Sequence, residues 1–494
     1  MPAPEQTGRL DLASPRTIHI VGVAGHGMSA LAAVLAELGH TVSGTDLAPN
    51  RRMDRLALLG VTCTVGQRAE NVPEGCDAVV ISTAVPRTNV EVAAAEARGI
   101  HVYHRSDALA GVVAARRGIG VAGTHGKTTT SSMVTLIQRA AGLRPSFVIG
   151  SELHEVGTNA AMDRGEWLVV ECDESDGSFL KFDLEAAIVT NVEEDHLGYW
   201  GTMARLEAAF ETFVAHVDGP VVLCADDPVT ARLAGVHPGA VTYGWAEGAA
   251  FRAVDYRSGP GGSRWELHRD GEPVGELALP LLGAHNAQNA TAAAALTMSL
   301  GVPFETVRDA LAGFAGVSRR FQFRGERDGV TYVDDYAHLP SEIRATLAAA
   351  HEGGWSRIVA VFQPYRYKRT QLMWREFADA FEGVDHLFLT DVCGASEEPI
   401  PGVTGRLVLR AVLDAHPSLP VTYLPHRAEL VTHVPRYARP GDLVLTLGAG
   451  DLTTVPDEWV GGGAPSPVRS STGSWRTCAR RAGGLSGPTA GPGC

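Results

Sequence analysis

A lysine and a threonine directly behind a glycine-rich turn are suited to gripping a triphosphate. The chain carries them in GTHGKTTT, as Gly123, Thr124, His125, Gly126, Lys127, Thr128 and Thr129. The run GIGVA before the motif has strand character, and the pattern from Lys127 to Ala141 is helical. Such a turn points backbone N–H groups at phosphate oxygens, and the helix start adds partial positive charge. Lys127 then reaches the β and γ oxygens, and Thr128 offers a hydroxyl to Mg²⁺. The spacing GxxGKT is shorter than the common GxxxxGK[ST], with Val121 where the early glycine would stand. A plain strand-to-helix turn with an exposed lysine is the competing reading.

Two further strand-like runs end in acids. EWLVV leads into Glu171, Cys172, Asp173, Glu174 and Asp176, and AAIVT leads into Asn191, Glu193, Glu194, Asp195 and His196. Strand ends are where open α/β sheets bind ligands, so both clusters are expected beside the phosphate loop, able to ligate Mg²⁺ or simply to be solvated acidic loops. Near the N-terminus IHIVGVAGHGMSALA places Gly22, Gly25 and Gly27 between a strand and a helix, and Asp46 follows the next strand. The order GxxGxG differs from the dinucleotide pattern GxGxxG, so the turn fits the pyrophosphate of a nucleotide-sugar as well as NAD. Further on, DDYAH (Asp334 to His338) follows the strand TYV. FQPYRYKRT, with Arg366, Lys368 and Arg369, follows RIVAV, and these cations suit a carboxylate or phosphate, or form a basic surface loop.

The elements that position these residues repeat along the chain. Short β-branched runs alternate with helical patterns: TIHIVGV then Met28 to Leu38, GIGVAG then Lys127 to Ala141, RIVAVF then Gln371 to Phe381. That alternation predicts α/β architecture with mostly parallel sheets. In the first helix Met28, Leu31, Val34, Leu35 and Leu38 form a core-facing stripe. A length of 494 residues predicts several domains. The boundaries read as 1–115, 116–316, ending after an alanine-rich helix at Ala290 to Leu300, and 317–460, closing with DLVLTLG. Residues 461–494, rich in Gly, Pro, Ser and Arg, read as a disordered tail.

With 45% hydrophobic and 20% charged residues the chain has the composition of a folding protein. Its formal net charge of −14, without a basic run, argues against a nucleic-acid partner. The seven scattered cysteines suggest neither disulfides nor a zinc site, and hence a reducing compartment. A leader pattern and an apolar run of the ~18 residues a membrane span needs are both missing, so a cytoplasmic protein without a membrane partner is expected.

Taken together, GxxGxGMS, GTHGKTTT, ECDESDGSF, VTNVEEDH, GAHNAQNA, SRRFQFRG, DDYAH, FQPYRYKRT, DVCGASEEPIPG and GDLVLTLGAGD resemble, in order, the motifs of the Mur ligases, over about residues 17 to 455. The resemblance implies a Rossmann-like N-terminal domain for a UDP-sugar, a central P-loop ATPase domain, and a Rossmann-like C-terminal domain for the amino acid. The implied reaction joins L-alanine to the lactyl carboxylate of UDP-N-acetylmuramate through an acyl phosphate formed from ATP, with Mg²⁺, in peptidoglycan precursor synthesis.

By motif, the implied UDP-sugar contacts are Gly22, Gly25, Gly27, Met28, Ser29 and Asp46. The implied ATP contacts are the phosphate loop, His285, Asn286, Asn289, Arg320 and Asp335. Thr128, Glu171 and His196 are implied metal ligands, and His338, Arg366 and Arg369 an amino-acid pocket, with Lys127, His196 and His338 catalytic. A monomer or weak homodimer is expected. The chain departs from the family pattern at Gly198, Leu339 and Tyr365, which keeps open a relative with an altered acceptor or amino acid. A P-loop NTPase switch and an NAD-dependent oxidoreductase are the readings from other classes. The murein tripeptide ligases and folylpolyglutamate synthases share parts of the pattern, but GMSA and QPYRYKRT lean toward members that add alanine.

Overall fold

A computed structural model describes residues 8–395 and 397–461, so the predicted tail lies outside the described residues apart from Gly461. Three sheets follow one another along the chain. The first has five parallel strands, β1 (Thr17–Val21), β2 (Thr41–Asp46), β3 (Thr62–Val65), β4 (Ala78–Ile81) and β5 (His101–His104), in the order β3-β2-β1-β4-β5. The strand order reverses between β1 and β4, which opens a crevice at the carboxyl end of β1 where the glycine turn begins.

The second sheet has ten strands. These are β6 (Arg117–Ala122), β7 (Ser146–Leu153), β8 (Thr158–Ala161), β9 (Trp167–Glu171), β10 (Ala186–Val189), β11 (Val221–Cys224), β12 (Val241–Gly244), β13 (Phe251–Gly259), β14 (Gly262–Arg269) and β15 (Glu272–Leu279). Their order is β15-β14-β13-β12-β11-β10-β6-β9-β7-β8. β6 lies between β10 and β9, all parallel, so the loop after β6 is flanked by the two acid-bearing strand ends. The third sheet, β16 (Gln322–Arg327), β17 (Val330–Asp335), β18 (Arg357–Phe362), β19 (His386–Leu389), β20 (Val421–Tyr423) and β21 (Asp442–Leu447), runs β16-β17-β21-β18-β19-β20 and is parallel except for β16.

The predominance of parallel pairing follows from the sequence: Val- and Ile-rich strands are apolar on both faces and need helices on each side. One apolar core is continuous from the first sheet into one face of the second, through Val113, Leu109, Phe182 and Leu184. This fixes the glycine turn of the first sheet against the second. The predicted stripe of the first helix, observed as His26–Glu37, buries Met28, Leu31, Val34 and Leu35, with Leu38 partly buried.

Two helices differ from expectation. The alanine-rich helix begins at Ala284 rather than Ala290, so GAHNAQN forms its first turns. The helix expected over Gln371 to Phe381 instead runs Tyr367–Met373 and gives way to a 3₁₀ turn at Trp374–Phe377. There Phe377 and Phe381 are drawn onto Phe362, with ring centroids 5.3 and 5.2 Å away, and the tighter turn meets that packing.

Candidate active site

The phosphate loop is built by exclusion of side chains. Gly123 and Gly126 have φ of 125° and 80°. A Cβ would lie 2.1 Å from Thr190 Oγ1 at Gly123, and 2.5 Å from Asn289 Oδ1 at Gly126. Asn191 pins the loop: its carbonyl accepts from Thr124 N (2.9 Å) and its Oδ1 from His125 N (2.8 Å). The backbone N–H groups of Thr124 and His125, expected to face phosphate, are therefore taken up by Asn191. The N–H groups at the start of helix Lys127–Ala140 have no intrahelical acceptor. Lys127 Nζ donates to the carbonyls of Gly123 (2.5 Å) and Thr124 (3.2 Å) and to Glu174 Oε2 (2.7 Å). Burial works against its charge, but Glu174 and Asp173 outweigh burial and raise its pKa.

The acidic strand ends supply oxygen ligands. Glu171 Oε2 accepts from Gly150 N at 2.7 Å. A Cβ on Gly150 would stand 2.5 and 2.7 Å from the two Glu171 oxygens and 2.7 Å from Thr128 Oγ1. Both Glu171 oxygens and Thr128 Oγ1 thus gather around the Gly150 backbone, and they are oxygen donors of the kind a divalent cation takes. A second set, Asp173, Glu174 and His196, has donor atoms within 4.8 Å of one another. Burial raises the Glu174 pKa, and its Oε1 is buried without a hydrogen-bond partner, which also fits a cation.

A cavity of about 400 Å³ opens beside the loop, between the second sheet and residues of the third. His285, Asn286 and Asn289 line it from the first turns of their helix. Arg320 and Asp335 line it from the other wall, together with Phe321 and Glu342. Burial pushes His285 down to about 4, leaving a neutral imidazole. Asp335 accepts from the backbone of Phe321 and Ala337, both at 2.7 Å, and burial pushes it up to about 6. Arg320 lies over the Tyr336 ring, 5.1 Å from its centroid. Asn286 is the exception in direction: its amide donates to the Leu282 carbonyl at 2.8 Å.

In the first sheet the backbone N–H groups of Gly22 and Val23 donate to the Thr45 carbonyl. Asp46 Oδ2 accepts from Ala24 N at 3.0 Å, so its carboxylate braces the turn. Met28 is 3% exposed, in the core, so its side chain is not offered to a ligand. Ser29 Oγ donates to the His26 carbonyl at 3.0 Å. From this turn a cleft of about 180 Å³ runs toward Glu171 and Asp173, bordered by His26, Gly27, Arg105 and Asn159. His26 Nε2 bridges to the Gly150 carbonyl across it at 2.8 Å.

Of the expected amino-acid pocket, His338 and Arg369 are half-buried or buried, and Arg366 is exposed. The two arginines take different partners: Arg369 pairs with Asp195 at 3.1 Å, while Arg366 lies toward the Tyr365 ring. His338 packs edge-on against Tyr336 and Tyr365. Among the three departures from the family pattern, Tyr365 is in contact with His338. The Leu339 side chain is buried, and a Cβ on Gly198 would meet nothing within 4 Å. Positive φ at the non-glycine residues His196, Arg319, Phe321 and Arg366 gathers backbone strain here.

Sequence reasoning missed Glu342, Gly150, Arg105, Asp226 and Gln288. Only Glu342 carried a local signal, as the third residue of a helix that opens with Pro340 in HLPSE. Asp226 accepts from Gln288 at 2.6 Å on the cavity wall.

Three family descriptions match in succession: Mur ligase family, catalytic domain, at residues 17–117; Mur ligase middle domain at 121–297; and Mur ligase, glutamate ligase domain, at 319–450. The chain is 43% identical over 449 residues to UDP-N-acetylmuramate--L-alanine ligase of Pelotomaculum thermopropionicum, covering 90% of this chain and 97% of that protein. It is 46% identical over 444 residues to the protein of the same name in Anaeromyxobacter dehalogenans, covering 89% and 96%. Among solved structures it resembles the UDP-N-acetylmuramate-alanine ligase of Thermotoga maritima, with a TM-score of 0.78, 28% identity, and 90% and 98% of the two chains covered. A murein peptide ligase from Psychrobacter arcticus shares the fold, with a TM-score of 0.67 at 23% identity, covering 91% and 100%.

Proposed function

The chain belongs to the Mur ligase family, and we propose that it joins L-alanine to the lactyl carboxylate of UDP-N-acetylmuramate while ATP is split to ADP and phosphate. The observation that carries this reading is a phosphate loop flanked by two acidic strand ends and roofed by Arg320, by Asp335 at the end of β17 and by Glu342 on the helix that follows it, in a chain so similar to ligases of that name.

A free carboxylate is a poor acyl donor. In the proposed course a carboxylate oxygen of the acceptor attacks the γ-phosphorus of ATP, ADP leaves, and an acyl phosphate forms. The amine nitrogen of alanine then attacks the acyl carbon, phosphate leaves with the bonding pair, and the nitrogen loses a proton. The units read at 1–115, 116–316 and 317–460 would hold the UDP-sugar, ATP and alanine in that order. The helix start at Lys127 and the Lys127 ammonium hold the triphosphate, and positioning of this kind is most of what a phosphoryl-transfer site contributes.

His285, Asn286 and Asn289 border the adenosine, with Arg320 and Asp335 opposite. The braced glycine turn offers backbone to the UDP-sugar, and Arg105 borders the cleft by which its lactyl arm reaches Glu171. Thr128 with Glu171, and Asp173 and Glu174 with His196, would hold Mg²⁺. When bound, Mg²⁺ neutralises charge on the transferring phosphoryl group. Arg366 and Arg369 flank the amino-acid side next to His338.

The test is ADP release with UDP-N-acetylmuramate against L-alanine, glycine and L-serine. L-alanine is expected to give the highest kcat/KM, although discrimination by one methyl is limited to about 1–3 kcal/mol. Preference for another amino acid by about tenfold, some 1.4 kcal/mol, would contradict the assignment, as would turnover that ignores this acceptor.

A further inference from the structure

One carboxylate touches both halves of the cleft. Glu342 is the third residue of helix Pro340–Glu352, and its Oε2 accepts the backbone N–H groups of His338 (2.9 Å) and Leu339 (3.2 Å), which folds the side chain back over the helix start. From there Oε1 lies 3.3 Å from His125 Nδ1 on the phosphate loop and 3.9 Å from Arg320 Nη1. Oε2 lies 3.2 Å from His338 Nδ1. Burial works against a charge on Glu342, but the His338 Nδ1–H directed at it, the protonated His125 imidazole and Arg320 outweigh burial and keep the carboxylate ionised.

The two imidazoles are held in different states. His338 Nδ1 faces only acceptors, the Glu342 carboxylate and the Tyr336 carbonyl at 3.0 Å. The hydrogen-bond network therefore assigns the proton to Nδ1 and leaves Nε2 with a lone pair. Burial keeps this ring neutral, with its pKa pushed down to about 4. His125 sits between Glu342 and Glu193, 3.3 Å from each, and those carboxylates hold it protonated against burial.

We infer that Glu342 is a positioning residue that couples the nucleotide half of the site to the amino-acid half, seating the phosphate-loop imidazole with one oxygen and fixing the His338 tautomer with the other. The inference rests on the ligase reading above. Either ligand, by ordering the Pro340–Glu352 helix start against the loop, leaves less to be ordered by the other. Their affinities must then strengthen each other by the same factor. The fixed tautomer also leaves Nε2 unprotonated and able to accept a hydrogen bond.

The experiment titrates the full chain, saturated with UDP-N-acetylmuramate, with a non-hydrolysable ATP analogue in the presence and absence of L-alanine. In the unmodified protein L-alanine is expected to tighten the analogue by about 5–150-fold, the usual range of site-to-site coupling. Glu342→Gln is expected to bring that ratio close to one. Glu193→Gln removes the other carboxylate on His125, which also meets Ser341 at the same helix start but leaves His338 untouched, and is expected to weaken the analogue and to lower the ratio less than Glu342→Gln does. Thermal unfolding checks that each variant is folded. Should Glu342→Gln not fold, Glu342→Asp, which keeps the charge but shortens the reach, must lower the ratio. An unchanged ratio in the folded Glu342 variant, or no coupling in the unmodified protein, overturns the inference. Failure of the ligase reading would appear separately, as absence of product from the unmodified protein with all three substrates.

Discussion

Gly150→Ala is the sharpest perturbation of the oxygen cradle, because it adds one methyl where three oxygens meet. The new Cβ would stand 2.5 Å from one Glu171 oxygen and 2.7 Å from both the other and Thr128 Oγ1, against an ordinary contact of 3.4 Å or more. Those oxygens must retreat by about 0.7–0.9 Å, the difference between these distances. Gly150 is not in left-handed backbone, so alanine meets no conformational strain there. A displacement approaching 1 Å at a phosphoryl-transfer site costs about 10²-fold in rate, or about 2.7 kcal/mol in the barrier. The assay is ADP release at saturating substrates across a Mg²⁺ titration, with a melting curve alongside. A fall in kcat of about that size, a higher Mg²⁺ requirement and a nearly unchanged Tm are expected. A kcat within a few-fold of the unmodified protein at every Mg²⁺ concentration would refute the claim that Thr128 and Glu171 share a cation.

Lys127→Ala should abolish ligation and weaken ATP binding, since loss of a charge-assisted contact to the transferring group costs several kcal/mol in the transition state; near-normal turnover in a folded variant would sink the ATP-site assignment. His125, held at about 9 against an ordinary 6.5, contributes a stabilising interdomain pair that is complete below about 6.5 and lost as pH rises through about 9. The melting temperature should therefore fall over that window, and His125→Gln should remove this part of the fall; identical pH profiles would contradict it. Arg366→Lys should raise the KM for alanine more than that for ATP, because an ammonium cannot reproduce a guanidinium fork, and equal effects on both constants would remove Arg366 from the amino-acid side.

The legible parts of the site were those in which one short stretch of chain carries both an element and its chemistry. GTHGKTTT announces a strand, a turn and a helix start together, and the acids after EWLVV and AAIVT follow their strands directly, so parallel pairing around β6 gathers them. Asp335 and His338 were visible for the same reason, at the end of β17. Gly150, Arg105 and Glu342 matter only through partners far away in sequence, and no local pattern marks a glycine as the space between Glu171 and Thr128. Arg366 and Arg369, three apart, take different partners: Arg369 pairs with Asp195 from the loop after β10, a contact no local pattern announces. Helix limits failed where tertiary packing decided them, as at Phe377 and Phe381 on Phe362.

The central claim is that this chain activates a carboxylate by phosphorylation before forming an amide, and isotope transfer tests it most directly. UDP-N-acetylmuramate labelled with oxygen-18 in its lactyl carboxylate is incubated with the protein, ATP, Mg²⁺ and L-alanine, and the released phosphate is analysed by mass spectrometry. One labelled oxygen is predicted in each phosphate formed, with the other retained in the amide carbonyl. Phosphate free of label, alongside amide product, would contradict the acyl-phosphate route.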